Sequence, residues 1–208
     1  MKKILLVLLI LIPFSCEKDH KYFISDHNKK IEITDELAFI LGSLSDYLGY
    51  KNSEIYLHSP SENIEIIQRE FISQYCQKNK IKFIMDEISE GGKIENIELS
   101  KKLDFLFENG VIKNEVIESF SHDQKMLFLI STYLCESYNT SYCFCNGTWK
   151  YGTTLRFLNE TKSSKVIIKT REWKAFPTRR FIYFEPSSEF SNYLEKFKDK
   201  LEKKHYGT

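Results

Sequence analysis

Glycine and proline are scarce in this chain, which has 8 and 4 of them among 208 residues, and it has no low-complexity tract or visible internal repeat. A chain without such tracts is not expected to be disordered beyond its ends. Aromatic residues are plentiful instead, at 14% of the sequence. The composition therefore indicates one globular domain with a substantial core.

Long apolar runs are also missing, because the longest, Ile4–Phe14, is too short for the roughly 20 residues that a membrane-spanning helix needs. Lys2 and Lys3 precede this run and Ser15 follows it. A short apolar run between lysines and a small residue is typical of a secretory signal peptide.

The Ser15-Cys16 junction resembles the lipobox of bacterial lipoproteins. This resemblance implies cleavage before Cys16 and acylation of its thiol, so it predicts a signal peptide over 1–15, a lipid-anchored flexible tether over 16–30 and a single α+β domain over 31–208. It also implies an exported, membrane-anchored protein of the outer membrane, extending to the cell surface. The alternative is an ordinary cleaved signal that happens to precede a cysteine.

Four further cysteines remain, and in an exported chain they allow disulfides. Cys143 and Cys145 face one side of a predicted strand and cannot easily bond each other, so Cys135 is the candidate disulfide partner of either. Free thiols are the equal alternative. No histidine or second cysteine pair stands at ligand spacing, so neither a metal site nor a cofactor is expected.

The first predicted helix begins at Thr34, a suitable N-cap, and places Leu37, Ile40 and Leu41 on one face. The stretch Leu37–Gly42 resembles the LAGLIDADG helix of homing endonucleases. That family needs an acid near the helix end, and alignment on Leu37 puts this position at Leu44, two residues before Asp46. We therefore interpret this stretch as a core helix.

Further helices and strands follow. Ile55–His58, a helix that starts at Ser59, and Ile81–Met85 suggest a small βαβ-like element. Ser121 and Gln124 form a capping box before a helix that is apolar on almost every face.

From Tyr142 the pattern changes to that of strands, which we place at Tyr142–Cys145, Thr148–Tyr151, Thr154–Leu158, Lys165–Trp173 and Arg180–Phe184. A C-terminal amphipathic helix follows Ser187. The predicted fold class is α+β: a helical N-terminal half with the βαβ-like element, then an antiparallel β meander and the C-terminal helix.

Charge is unevenly distributed. Residues 52–123 hold 8 basic and 14 acidic side chains, whereas residues 142–183 hold 9 basic and 2 acidic ones. The basic stretch also contains aromatic residues. Its candidate anionic-ligand residues are Lys150, Arg156, Arg171, Arg179, Arg180, Trp149 and Trp173. The alternative is that the aromatic side chains face the core and the basic ones face water.

These observations predict a non-enzymatic envelope lipoprotein that binds an anionic glycan, a lipid or an envelope component through a basic, aromatic-rich sheet. A lipoprotein that binds a protein partner, such as an assembly factor or inhibitor, is the alternative. A hydrolase is third, because no catalytic residues can be assigned: Ser121, His122 and Asp123 are sequence neighbours and cannot form a catalytic triad. Nucleic acid is not expected as a partner.

Overall fold

The computed structural model describes residues 32–44, 50–51, 54–56, 62–82, 88–89, 93–136, 142–146, 148–173 and 179–205. Seven helices lie in these residues: α1 (Asp35–Ser43), α2 (Glu62–Lys78), α3 (Ile97–Leu106), α4 (Asn114–Ser119), α5 (His122–Glu136), α6 (Thr148–Glu160) and α7 (Ser188–His205). The strands are β1 (Tyr50–Lys51), β2 (Glu54–Tyr56), β3 (Ile88–Ser89), β4 (Lys93–Glu95), β5 (Phe107–Glu108), β6 (Val111–Ile112), β7 (Cys143–Asn146), β8 (Ser164–Trp173) and β9 (Arg179–Pro186).

The predicted α+β class is confirmed. Among the described residues the strands form three antiparallel sheets, with the orders β1-β2-β4-β3, β5-β6 and β7-β9-β8. Of the predicted βαβ-like element, β2 and α2 are present, whereas Ile81 and Lys82 lie in no strand and the rest of the predicted strand Ile81–Met85 falls outside the described residues. The described partner of β2 on the far side of α2 is β4, which pairs with it antiparallel. No described helix is both long and apolar enough to span a membrane.

Helix α1 is the core helix that its sequence predicts. Thr34 accepts a hydrogen bond from the backbone N–H of Leu37 at 3.2 Å and so caps the helix. All residues from Leu37 to Leu41 are at most 3% exposed, so the helix is buried on every side and not only along one stripe.

Helix α5 packs along α1, and the two helices run in the same direction. Near their N-termini the Gln124 side chain donates to the backbone carbonyl of Ile33. Towards their C-termini the Thr132 hydroxyl donates to the carbonyl of Gly42 at 3.1 Å. The predicted capping box is present, since Ser121 and Gln124 exchange hydrogen bonds between side chain and backbone.

The region predicted as an antiparallel meander contains a helix. Thr148–Tyr151 and Thr154–Leu158, both predicted as strands, belong to α6. Its buried residues recur at helical spacing in two neighbouring rows: Trp149, Thr153 and Phe157, and Lys150, Thr154 and Leu158. The sheet beside it therefore has three strands, with β9 in the centre between β7 and β8.

Candidate nucleic-acid interface

The two faces of the β7-β9-β8 sheet differ. Phe144, Ile182 and Phe184 are at most 2% exposed and pack with Phe190 of α7 and Tyr133 of α5. They define the core face. Because successive residues of a strand point to opposite faces, the neighbouring positions belong to the outer face.

The pairing of the strands fixes which positions of the outer face are neighbours. Tyr183 lies between Cys143 on β7 and Lys169 on β8, and Phe181 lies between Cys145 and Arg171. Arg179 is opposite Trp173, and Glu185 is opposite Val166. The outer face thus combines three basic positions with three aromatic ones.

Two of these aromatic side chains form a stack along β9. The rings of Phe181 and Tyr183 lie 6.2 Å apart with an interplanar angle of 18°. Phe181 is buried and Tyr183 is half-buried. Of the two rings, Tyr183 is therefore the one that presents surface to a ligand.

The acidic residue of this face already has a cation beside it. The carboxylate of Glu185 lies 3.2 Å from the Lys165 ammonium group, and both side chains are more than half exposed. At this distance the pair is an ordinary surface ion pair. The remaining charged positions of the outer face are Lys169, Arg171 and Arg179, and all three are basic.

The structure separates the predicted ligand residues into two groups. Arg171, Trp173 and Arg179 occupy outer-face positions of the sheet. Arg180 belongs to the opposite face, where its guanidinium group bonds to Glu172 at 3.2 Å and lies 5.5 Å from the centre of the Tyr151 ring.

The other three predicted ligand residues lie on helix α6. Trp149 is 7% exposed and meets Phe107 edge to face, and Lys150 is fully buried. Arg156 bonds to Glu160 at 2.6 Å and approaches Glu118 at 3.9 Å. These two carboxylates tie Arg156 to α4 and to the end of its own helix. Trp149, Lys150 and Arg156 thus contact other parts of the fold and are not part of the outer face of the sheet.

Two further outer-face positions, Lys169 and Tyr183, belong to the basic, aromatic-rich stretch that the sequence singles out, but the sequence did not show that they share a face with Arg171 and Arg179. In a regular strand, the alternation of side chains would have indicated the face on which Lys169 lies. Strand β8, however, contains irregularities between Ser164 and Val166 and between Ile167 and Lys169. Each irregularity shifts the alternation, so the face of a residue cannot be read by counting from the start of the strand.

The cysteines of the candidate disulfide carry thiols in the structure, as does Cys76. Cys135 is buried on α5 and accepts a hydrogen bond from Gln68 at 3.4 Å. Cys143 is buried on β7, and burial raises the pKa of its thiol to about 11, with Cys145 as a smaller cause.

His122 and Asp123 lie at the start of α5 and contact α7. His122 is 2.8 Å from Glu189, and Asp123 accepts a hydrogen bond from the Tyr193 hydroxyl group. Ser121 caps the helix, as predicted. His122 and Asp123 therefore join α5 to α7 while Ser121 caps α5, so the three residues do not form a catalytic relay. His58 lies outside the described residues.

The solved structures that resemble this chain include complexes of one protein with DNA. The fold resembles that of I-DmoI, a homing endonuclease. Its complex with DNA and Mn has a TM-score of 0.47 and 13% identity over 72% of this chain and 89% of I-DmoI. Its complex with DNA and Ca has a TM-score of 0.45 and 14% identity over 73% and 83% of the two chains. No protein-family model and no curated protein matches the chain.

These comparisons correct the function predicted from the sequence. The neighbours are DNA-bound enzymes, so the non-enzymatic envelope lipoprotein, its anchoring to the outer membrane and the exclusion of nucleic acid are wrong. The fold is compatible with an enzyme. The signal peptide over 1–15, Cys16 and the tether over 16–30 lie outside the described residues and stay predictions.

Proposed function

We propose that this protein binds duplex DNA through the outer face of the β7-β9-β8 sheet. The observation that carries the proposal is the strand pairing, which puts Lys169, Arg171 and Arg179 on the same face as Tyr183. Basic side chains of this kind contact phosphates, and they supply most of the affinity of proteins for DNA.

The shape of the sheet supports a duplex as the ligand. Strands β8 and β9 form an antiparallel ribbon, with 10 and 8 residues, that is much longer than the other strand pairs described. The major groove of B-DNA is wide enough for a two-stranded ribbon. Strands in a groove bring side chains to the base edges while flanking cations contact the phosphates.

The central position of β9 supports the same assignment. Its core face is fixed by Phe144, Phe184 and Phe190, whose ring centres lie 5.1 to 6.5 Å apart. A face held by such packing presents its outer positions at fixed spacing, which reduces the entropy lost on binding.

Salt-titrated binding of the purified chain to a fluorescent 24-base-pair duplex tests the proposal. If three phosphates are neutralised, log K falls with log[salt] with a slope of about −2.7, so affinity falls roughly 40-fold between 50 and 200 mM KCl. A neutral polysaccharide is the control ligand and should not bind. Failure to bind the duplex at 50 mM KCl, or binding without salt dependence, would contradict the proposal.

Cleavage of the DNA is measured separately, on the complex of the protein with the same duplex. The duplex is incubated with the protein and Mg²⁺ and analysed on a denaturing gel. An intact duplex assigns the protein to binding alone, and specific fragments assign it to the nucleases. Divalent cations are the appropriate addition because phosphodiester cleavage by metal-dependent nucleases uses them to activate water and stabilise the leaving oxygen.

A further inference from the structure

The two larger sheets of the described chain have the same topology. The first half has the order α1, β1, β2, α2, β3, β4, α3, and the second half has α5, β7, α6, β8, β9, α7. In the first sheet β4 lies between β3, the strand before it in the chain, and β2, which precedes helix α2. In the second sheet β9 lies between β8, the strand before it in the chain, and β7, which precedes helix α6. Thus β7, β8 and β9 correspond to β2, β3 and β4.

The helices that begin the two halves, α1 and α5, are the parallel pair at the centre of the core. Thr132 and Ser131 of α5 donate hydrogen bonds to backbone carbonyls of α1, at Gly42 and Phe39. The chain is therefore built as two related halves joined by their first helices. If function followed topology alone, both sheets would bind the same ligand.

The outer face of the first sheet, however, differs in charge. Ile55 is fully buried and marks the core face, with Ile94 opposite it on β4. The alternate positions make up the outer face, and their charged members are Lys51, Glu54, Lys93 and Glu95. Among the described positions of this face, the two basic and the two acidic residues balance in charge.

The direct neighbours on this face would also repel a phosphate. Glu54 on β2 is paired with Glu95 on β4, so two acidic positions are paired in the middle of the sheet. In the second sheet the corresponding pairs join β7 and β9, Cys143 with Tyr183 and Cys145 with Phe181, and none of these four residues is acidic. Carboxylates at the centre of a face disfavour DNA through like-charge repulsion.

We infer that the protein contacts DNA with its second half only and that its ligand is a duplex of about one helical turn. This inference rests on the proposed function. Strand β8 has 10 residues, and at about 3.3 Å per residue it spans roughly 33 Å, close to the ~34–36 Å of one turn of B-DNA. Two engaged sheets would require a longer site.

A series of duplexes of 8, 10, 12, 16 and 24 base pairs tests the inference on the full chain. We expect affinity to rise up to 10 or 12 base pairs and then to increase less than threefold, with an unchanged salt slope. A tenfold gain in affinity between 12 and 24 base pairs, with a steeper salt slope, would show that the second sheet is engaged and overturn the inference.

Two double variants complete the test. Lys51→Gln/Lys93→Gln removes the basic positions of the first sheet and should leave affinity for the 24-base-pair duplex within twofold of the wild type. A fivefold or larger loss would overturn the inference while leaving DNA binding itself established. Failure of every duplex to bind would overturn the proposed function, and the inference with it.

Discussion

Gly42 of α1 lies directly against the backbone of α5 at Phe128. A Cβ atom at position 42 would come within 2.9 Å of the Ser131 Cβ and closer still to the Phe128 carbonyl oxygen. The parallel pair of helices is therefore in backbone contact, and only glycine fits at this position.

Gly42→Ala is expected to destabilise the protein by about 1–3 kcal/mol, because the helices must separate to admit the methyl group. Gly152→Ala is the matched control. Gly152 is also helical and exposed, and nothing lies within 4 Å of its added Cβ. That variant should gain about 0.5–1 kcal/mol from helix propensity. Urea unfolding of both variants measures the difference, and equal effects would contradict the close packing.

Ser131→Ala removes a hydrogen bond between these helices. The Ser131 hydroxyl is buried and donates to the Phe39 carbonyl at 2.7 Å. The expected loss is about 1 kcal/mol of unfolding free energy. Ser119→Ala is the control, since that hydroxyl bonds only within the last turn of its own short helix, to Val116. The control should lose less than about 0.5 kcal/mol, and an equal loss would argue against the interhelical bond.

Alkaline pH should unfold the protein through two tyrosines. The hydrogen bond to Asp123 and then burial raise the pKa of Tyr193 to about 12, and burial raises that of Tyr75 to about 12. Both groups have folded-state pKa values above the unfolded value near 10, so their contribution is complete below pH 10 and is lost as pH rises towards 12.

Melting temperatures measured from pH 9 to 12 should therefore fall steeply above pH 10, and the fall should be shallower in Tyr193→Phe. A wild-type melting temperature that is constant up to pH 12 would contradict these pKa assignments.

The thiols of Cys76 and Cys143 should react slowly with thiol reagents in the folded protein. Burial is the main cause that raises the pKa of Cys76 and of Cys143 to about 11. At pH 8 this lowers the thiolate fraction by roughly a hundredfold relative to an ordinary cysteine. Labelling with a thiol reagent, followed by peptide mass spectrometry, should modify both residues at least that much more slowly in buffer than in urea. Similar rates in the two solutions would contradict their burial.

Helix α6 shows why part of the interface could not be predicted from the sequence. Aromatic and threonine residues between Thr148 and Leu158 favour strands by composition. Yet Trp149 and Phe157 are eight residues apart, two helical turns, and both face the core. Burial against the surrounding elements outweighed the local preference for strand. Trp149, Lys150 and Arg156 therefore lie on helix α6 and not in the sheet where they were predicted.

The caps and core helices were predictable because their signals are local. Thr34 and Ser121 are followed at fixed spacing by the groups that they bond. The relationship between the two halves was not predictable, because it resides in strand pairing and the sequence shows no repeat to reveal it. The side of the sheet occupied by Lys169 likewise depends on strand irregularities that only the structure shows.

The most direct test of the proposed interface compares Lys169→Gln/Arg171→Gln with Lys51→Gln/Lys93→Gln in binding to one duplex at 100 mM KCl. Both variants remove two positive charges from the outer face of a sheet, so their net charges are identical. Binding through β7-β9-β8 predicts that the first variant loses tenfold or more in affinity and that its salt slope becomes shallower by about 2, whereas the second binds as the wild type does. Equal affinities for the two variants would contradict the account.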